Sequence, residues 1–426
     1  MKNHASHYIL RRSFLAYAIL LMSAGSAVVA GPAQKSDSST CVVHVLFLGN
    51  SYTYFNDLPA IFSELAKAGH QCKVNTRMLA PGGLRLKDHW DKPEAHEALN
   101  SQKWDYVVLQ DQSTLGVGYY FEGKPRVTSD EVFLPYAKKW AAEIVRHGAR
   151  PVFYLTWARQ DTPDDQAALN YAYIHGARET GAIVAPVGLA WQQVRQQTPT
   201  IDLYYKDGSH PSQAGSYLAA CVIYATVFHQ SPADLPSHIT GPAVNLETEK
   251  LEPEKIVVLV DLPRSDAGGL QAAAWQAWQS LEKNGGYLDV HPTHAPTPTF
   301  GPGELLSNGK LAGTWSGKLL FYPGVGPVEM VLQLQPDGDA WKGHLTINYP
   351  VKDFVSESFD LNDLQVGKSE FAFSNPKSAG VHNWRVKFHG ALTGAVLGGT
   401  AETKSNQSGS PPIVVLGDWT LHKQNP

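Results

Sequence analysis

Val42-Val-His-Val-Leu-Phe-Leu48-Gly49-Asn50-Ser51-Tyr52-Thr53 decides the fold. A nearly continuous apolar run that stops at a glycine reads as a strand buried on both faces, which is how parallel sheets are built. Helical periodicity follows through Leu58, Ile61, Phe62 and Leu65. Further strands are expected at 72–79, ended by Pro81-Gly82-Gly83, and at 105–110, 151–156 and 182–187. Helices are expected at 130–147, 163–180, 213–229 and 266–282, the last with Leu270, Ala274 and Trp278 on one face. Alternation of this kind predicts an α/β domain, an open parallel sheet with helices on both faces, over 38–285.

Outward from that domain the texture changes twice. Toward the N-terminus, residues 1–30 combine Lys2, Arg11 and Arg12, an apolar stretch at 14–22 and the small residues Val28-Val29-Ala30. The run is too short for a stable span and reads as an export signal, with Arg11-Arg12 hinting at twin-arginine export. Its removal takes three positive charges, so the net charge moves from −4 to −7. The mature protein is expected in the periplasm or outside the cell. Toward the C-terminus, 286–302 is a Pro/Thr-rich linker carrying His291 and His294. Beyond it, Val328, Met330, Leu332 and Leu334 alternate with Glu329, Gln333 and Gln335. Such strands, with glycine turns between them, predict an all-β barrel or sandwich over 303–426 that is separable from the first domain.

Composition excludes several classes. Hydrophobic residues are 43% and charged residues 17% of the 426, too apolar for a disordered chain. The negative balance argues against nucleic-acid binding. Three cysteines are too few for a disulfide scaffold or a thiolate metal array. Cys41 and Cys72 open neighbouring parallel strands and are expected to pair in the oxidising compartment, while Cys221 falls in an apolar helix as a buried thiol. No His-Glu-x-x-His pattern occurs, and neither metal nor cofactor is expected.

Three places carry chemistry. Ser51 lies on the turn after the first strand, at the edge where open α/β sheets bind ligands; it also suits an ordinary helix start. Asp207-Gly-Ser-His210 places a carboxylate three residues before an imidazole, so that Asp207 orients His210 and His210 serves Ser51 as base. Asp-Gly followed by His-Pro equally favours a plain turn. Gly83, Gln110 and Gln112, at neighbouring strand ends, are candidate oxyanion donors.

Taken together, Gly49-Asn-Ser51-Tyr-Thr, Gly83 and Asp207-Gly-Ser-His210 resemble the SGNH (GDSL-type) hydrolases over roughly residues 40–285. The resemblance implies a flavodoxin-like sheet, Ser51 as nucleophile with His210 and Asp207, and an oxyanion hole from the Ser51 and Gly83 amides plus an asparagine side chain. The family's Gly-x-Asn-Asp block is absent, and Leu109-Gln-Asp-Gln-Ser113 stands there instead. Gln110 is expected to replace the asparagine, with Gln112 as the alternative. The residue before the serine is Asn50, where the family has aspartate. Asn50, Tyr52, Tyr54, Trp157 and Arg159 are expected to shape the substrate pocket. The C-terminal segment resembles lipocalin-like barrels. These resemblances imply an exported serine esterase acting on small acyl groups, chiefly carbohydrate O-acetyl groups. The alternatives are a lysophospholipase or thioesterase on the same fold, and an inactive hydrolase fold acting as a binding protein.

Overall fold

The structure, a computed structural model, describes residues 41–424 apart from 71, 117, 128–131, 294, 298, 324, 351–354, 376–384 and 406–412. The export signal expected at 1–30 and the start of the helix expected from 130 lie outside the described residues.

The first half of the chain runs β1 (Val42–Leu48), α1 (Ser51–Tyr54), α2 (Leu58–His70), β2 (Lys73–Leu79), α3 (Leu86–Asp91), α4 (Pro93–Asn100) and β3 (Tyr106–Leu109). A small hairpin follows, β4 (Gly118–Phe121) and β5 (Lys124–Pro125), then α5 (Phe133–Arg146), β6 (Arg150–Tyr154), α6 (Gln166–Thr180), β7 (Ile183–Ala185) and α7 (Val187–Gln197). The half closes with α8 (Gln213–Phe228), a second hairpin of β8 (His238–Asn245) and β9 (Lys250–Asp261), and α9 (Arg264–Glu282). Five strands form one parallel sheet in the order β2-β1-β3-β6-β7. The order reverses at β1, so the strand end at residue 49 opens on the crevice that such sheets use for ligands.

Alternation along each strand splits the core in two. Val45, Phe47, Val108, Val152 and Tyr154 pack with α2, α7, α8 and α9. Leu46, Leu48, Val107, Leu109 and Phe153 pack with α3 to α6. Helix α8 is buried on every side from Ala214 to Val227, as a helix apolar all round must be. Cys41 and Cys72, directly ahead of β1 and β2, form a disulfide with Cα atoms 4.7 Å apart, and Cys221 is a free, buried thiol.

The second half runs α10 (Asn308–Leu311), β10 (Gly313–Leu320), β11 (Val328–Asp337), β12 (Ala340–Asn348), β13 (Glu357–Asp360), β14 (Gln365–Val366), β15 (Glu370–Ser374), β16 (Lys387–Thr393), β17 (Val396–Ser405) and β18 (Ile413–Lys423). These strands form one antiparallel sheet, β13-β12-β11-β10-β18-β17-β16-β15-β14, curled as a half-barrel around Trp315, Trp419, Met330 and Phe388.

The two halves share a sheet. Residues 118–121 of β4 pair in parallel with 413–416 of β18, and β5 pairs with β4. Farther along, β18 leaves β4 and pairs with β10 through Asp418–Lys423. Gly417 sits at the handover, where a Cβ would meet Leu320 O and, at 2.8 Å, Phe321 Cα. Between the halves, Tyr287, Leu288 and Val290 pack on the first half's core, and Pro296 O accepts from Tyr119 Oη. The boundary expected at 286–302 is thus crossed by strand pairing. The Pro/Thr segment divides the chain, but residues 118–125 belong by hydrogen bonding to the C-terminal sheet.

Among the described residues no helix is long and apolar enough to cross a membrane.

Candidate active site

The turn after β1 is clamped from four directions. Gly49 N donates to Leu79 O at 3.1 Å, and Gly49 O accepts from His89 Nε2 at 2.7 Å. A carbonyl can only accept, so His89 carries its proton on Nε2; burial lowers its pKa and keeps the ring neutral. Asn50 N donates to Gln110 Oε1 at 2.9 Å. Asn50 Oδ1 accepts from Tyr52 N at 3.1 Å and from Gln110 Nε2 at 2.9 Å, while its Nδ2 donates to Leu84 O at 2.8 Å. Only glycine fits at 49, because a Cβ would strike Thr53 Oγ1 and lie 2.7 Å from Gln110 Oε1. Ser51 is thus held at the first position of α1, on a turn with no slack.

A second loop carries Asp207 and His210. Tyr205 N donates to His210 O at 2.7 Å and Gly208 N to Tyr205 O at 2.9 Å, with Gly208 at φ +67°. Within it, Asp207 Oδ1 accepts from Ser209 N at 2.9 Å and His210 N at 3.0 Å. Asp207 Oδ2 lies 2.5 Å from His210 Nδ1, and His210 Nε2 lies 2.8 Å from Ser51 Oγ. The carboxylate accepts a hydrogen bond from Nδ1–H, which leaves Nε2 as an acceptor for the serine hydroxyl. Partial burial works to raise the Asp207 pKa, but the bonds from His210 and the two amides outweigh it and hold the carboxyl below its usual range. Phe55 stacks on the imidazole at 4.2 Å between centroids and fixes its plane.

These groups open on a cavity of about 310 Å³ lined by Asn50, Ser51, Tyr52, Tyr54, Gly82, Gly83, Gln112, Ser113, Arg159, Ser209, His210 and Glu249. Gly83 borders it at φ +69°. Sequence reasoning brought Ser51, His210, Asp207 and Gly83 to one place, and Asn50, Tyr52, Tyr54 and Arg159 to its wall.

Two expectations are corrected. Gln110 does not reach the cavity as a donor: it is fully buried beneath Ser51, with Oε1 taken by Asn50 N and Thr53 Oγ1 and Nε2 by Asn50 Oδ1 and Asp111 O. Gln112 lines the cavity instead. Its Oε1 accepts from Thr114 N at 2.6 Å, and its Nε2 donates to Ser113 Oγ at 3.2 Å. Strand β3 ends at Leu109, short of both glutamines, so no strand alternation relates Gln110 to Gln112. Trp157 is the second correction. It is completely buried, stacked between Tyr52 at 4.6 Å and Trp191 at 3.8 Å, with Nε1 donating to Ser209 O. It holds the loop of Asp207 and His210 through that bond.

Sequence reasoning missed Glu249. It stands at the end of the β8–β9 turn, and its Oε2 accepts from Gly82 N at 2.8 Å. The signal was present: Asn245 Oδ1 accepts from Glu247 N and Thr248 N, a side-chain turn followed by the β-branched run Ile256-Val257-Val258.

Among the described residues no group of three or more His, Cys, Asp or Glu side chains could hold a metal ion.

No family model matches the chain, and no curated protein does. Among solved structures, the chain is similar to a DUF4886 family protein from Bacteroides uniformis at 18% identity and TM-score 0.42, over 55% of this chain and 94% of that one. It is similar to LAE5, an α/β hydrolase enzyme from the metagenome of Lake Arreo, at 12% and 0.37, over 44% and 95%. A third is a variant of Axe2, an acetyl xylan esterase from Geobacillus stearothermophilus, at 13% and 0.35, over 45% and 94%.

Proposed function

We propose that the protein is an exported serine esterase that removes small acyl groups, chiefly O-acetyl groups, from carbohydrate. The observation that carries this reading is the unbroken chain from Asp207 through His210 to Ser51 Oγ, ending at the floor of an open cavity. In the reaction, His210 Nε2 takes the hydroxyl proton as Ser51 Oγ attacks the acyl carbonyl. The oxyanion is held by the amides of Ser51 and Gly83 and by the Gln112 side chain. His210 then passes its proton to the leaving alcohol, and water, activated the same way, releases the acid from the acyl-enzyme. Asp207 stays ionised and keeps the imidazole in its base tautomer.

The preference for small acyl groups follows from the wall. It offers glycines, hydroxyls, amides and charges, and none of the Leu, Ile, Val or Met side chains that a long acyl chain needs. A panel of nitrophenyl esters tests the reading. Acetate should be the best substrate, with loss of turnover in Ser51→Ala. A rising rate with chain length would favour a lysophospholipase or thioesterase, and no turnover would favour a binding protein.

A further inference from the structure

Arg159 differs from two other half-buried arginines of the first half, and from Arg195, whose guanidinium is held by Tyr204 Oη and Gln160 O. Arg85 pairs with Asp88 at 2.7 Å and Arg126 with Asp165 at 2.8 Å, each with side-chain exposure of 15% or less. Arg159, half-buried, has no carboxylate within ion-pair distance among the described residues. Its Nη2 donates to the neutral Ser113 Oγ at 3.1 Å, and its buried Nε has no hydrogen-bond partner. A shielded guanidinium without an anion is costly, so its position calls for a ligand that brings one.

The position is also singular. Arg159 and Gln112 line the cavity of Ser51, and both also line a second cavity of about 330 Å³. The second is walled by Gly118, Tyr120 and Pro125 of the β4–β5 hairpin and by Pro323 of the C-terminal half. Its lining holds no carboxylate. In the first cavity Glu249, the one acid on the wall, is engaged by Gly82 N. If the acyl group is small, the larger part of the substrate is the alcohol, and the second cavity is where it can extend.

We propose that the site takes esters whose alcohol carries an anionic group, and that Arg159, standing between the two cavities, recognises that group. The inference rests on the esterase reading above. The planar guanidinium offers paired donors to a carboxylate or sulfate on the sugar next to the esterified hydroxyl.

Three acetyl esters that differ in one group test this: O-acetyl-glucuronate, O-acetyl-glucose 6-sulfate and O-acetyl-glucose, with nitrophenyl acetate as the reference. Acetate release by the full chain should favour at least one anionic ester over the neutral one by tenfold or more in kcat/KM, and the preference should shrink with added salt. Which anionic ester wins distinguishes carboxylate from sulfate. Arg159→Gln should bring the ratio to within twofold of unity, and Arg159→Lys should keep part of it, with thermal unfolding checked for both. In Ser51→Ala protein, calorimetry with glucuronate should show binding that Arg159→Gln abolishes. Turnover of nitrophenyl acetate without any anionic preference overturns this inference and leaves the esterase reading standing. A preference that survives Arg159→Gln in a folded protein overturns the assignment to Arg159. No turnover of any ester overturns the esterase reading, and the inference falls with it.

Discussion

Ser51 has a near-copy elsewhere in the chain. On the surface of the half-barrel, Ser358 Oγ lies 2.8 Å from His344 Nε2, and His344 Nδ1 lies 2.7 Å from Asp360 Oδ1. The atom order is that of Ser51, His210 and Asp207, but the surroundings are not. Asp360 is 82% exposed, and the three residues sit on the outer face of β12 and β13. Among the described residues nothing there preorganises donors for an oxyanion or excludes water. Ser51→Ala should therefore lower kcat by on the order of 10⁶, whereas Ser358→Ala should leave nitrophenyl acetate turnover unchanged. The two glutamines separate in the same way. Gln112→Ala should lower kcat by roughly 10²–10³ with little change in KM, as loss of an oxyanion donor does. Gln110→Ala orphans the buried Asn50 N and should cost about 1–3 kcal/mol of stability in urea unfolding. Spacing pointed to both residues and could not rank them, because their difference arises where β3 stops.

Elements differed in how far they could be read. β1, β3, β6 and β7 were legible because each is short and largely apolar, whereas β2, with Asn75, Thr76 and Arg77, was marked by the Pro81-Gly82-Gly83 that follows it. The β8–β9 hairpin was not: Gly241 and Pro242 interrupt β8, and its pairing shifts register at both Ile239/Thr240 and Pro242/Ala243. Helix α7 was hidden because Gln192, Gln193, Gln196 and Gln197 dilute its apolar face. At the element ends, two carboxyls carry a pH signature. Burial raises Asp57, ahead of α2, to about 6, and Asp111, after β3, to about 7, against backbone bonds that oppose it. In the unfolded chain both ionise near about 4. Between those values the folded state holds more protons, so stability falls as pH rises from about 4 to about 7 and then levels off. Asp111→Asn should flatten the upper part of that slope in urea midpoints taken across the range. An unchanged slope would show that Asp111 does not keep its proton.

At the scale of the molecule, the disulfide sits at the opposite end of β1 from Ser51 and ties two strands, not the site. Thiol counting in denaturant without reductant should find one free thiol, Cys221. Cys41→Ser/Cys72→Ser should cost about 3–4 kcal/mol while leaving kcat unchanged. The domain boundary was the least legible feature. Composition marks 286–302 plainly, yet nothing in Gly118-Tyr-Tyr-Phe121 announces a strand whose partner lies in another domain. A chain ended near residue 285 retains Ser51, His210 and Asp207 but leaves β4, still paired with β5, without β18 on its other edge. It should melt at lower temperature and aggregate, by light scattering, at concentrations where the full chain stays clear.

That pairing also sets a clock. Gly118 finds its partner only when Ile413 has been made. The interval is roughly 300 residues, or on the order of 15–60 s of translation at about 5–20 residues per second. Once His210 has been made the triad segments are all present, and for the roughly 200 residues that remain before Ile413 the hairpin beside them has nothing to hold. A stop codon or stalled ribosome before residue 413 therefore yields a sticky fragment for chaperones and proteases, not a shorter enzyme.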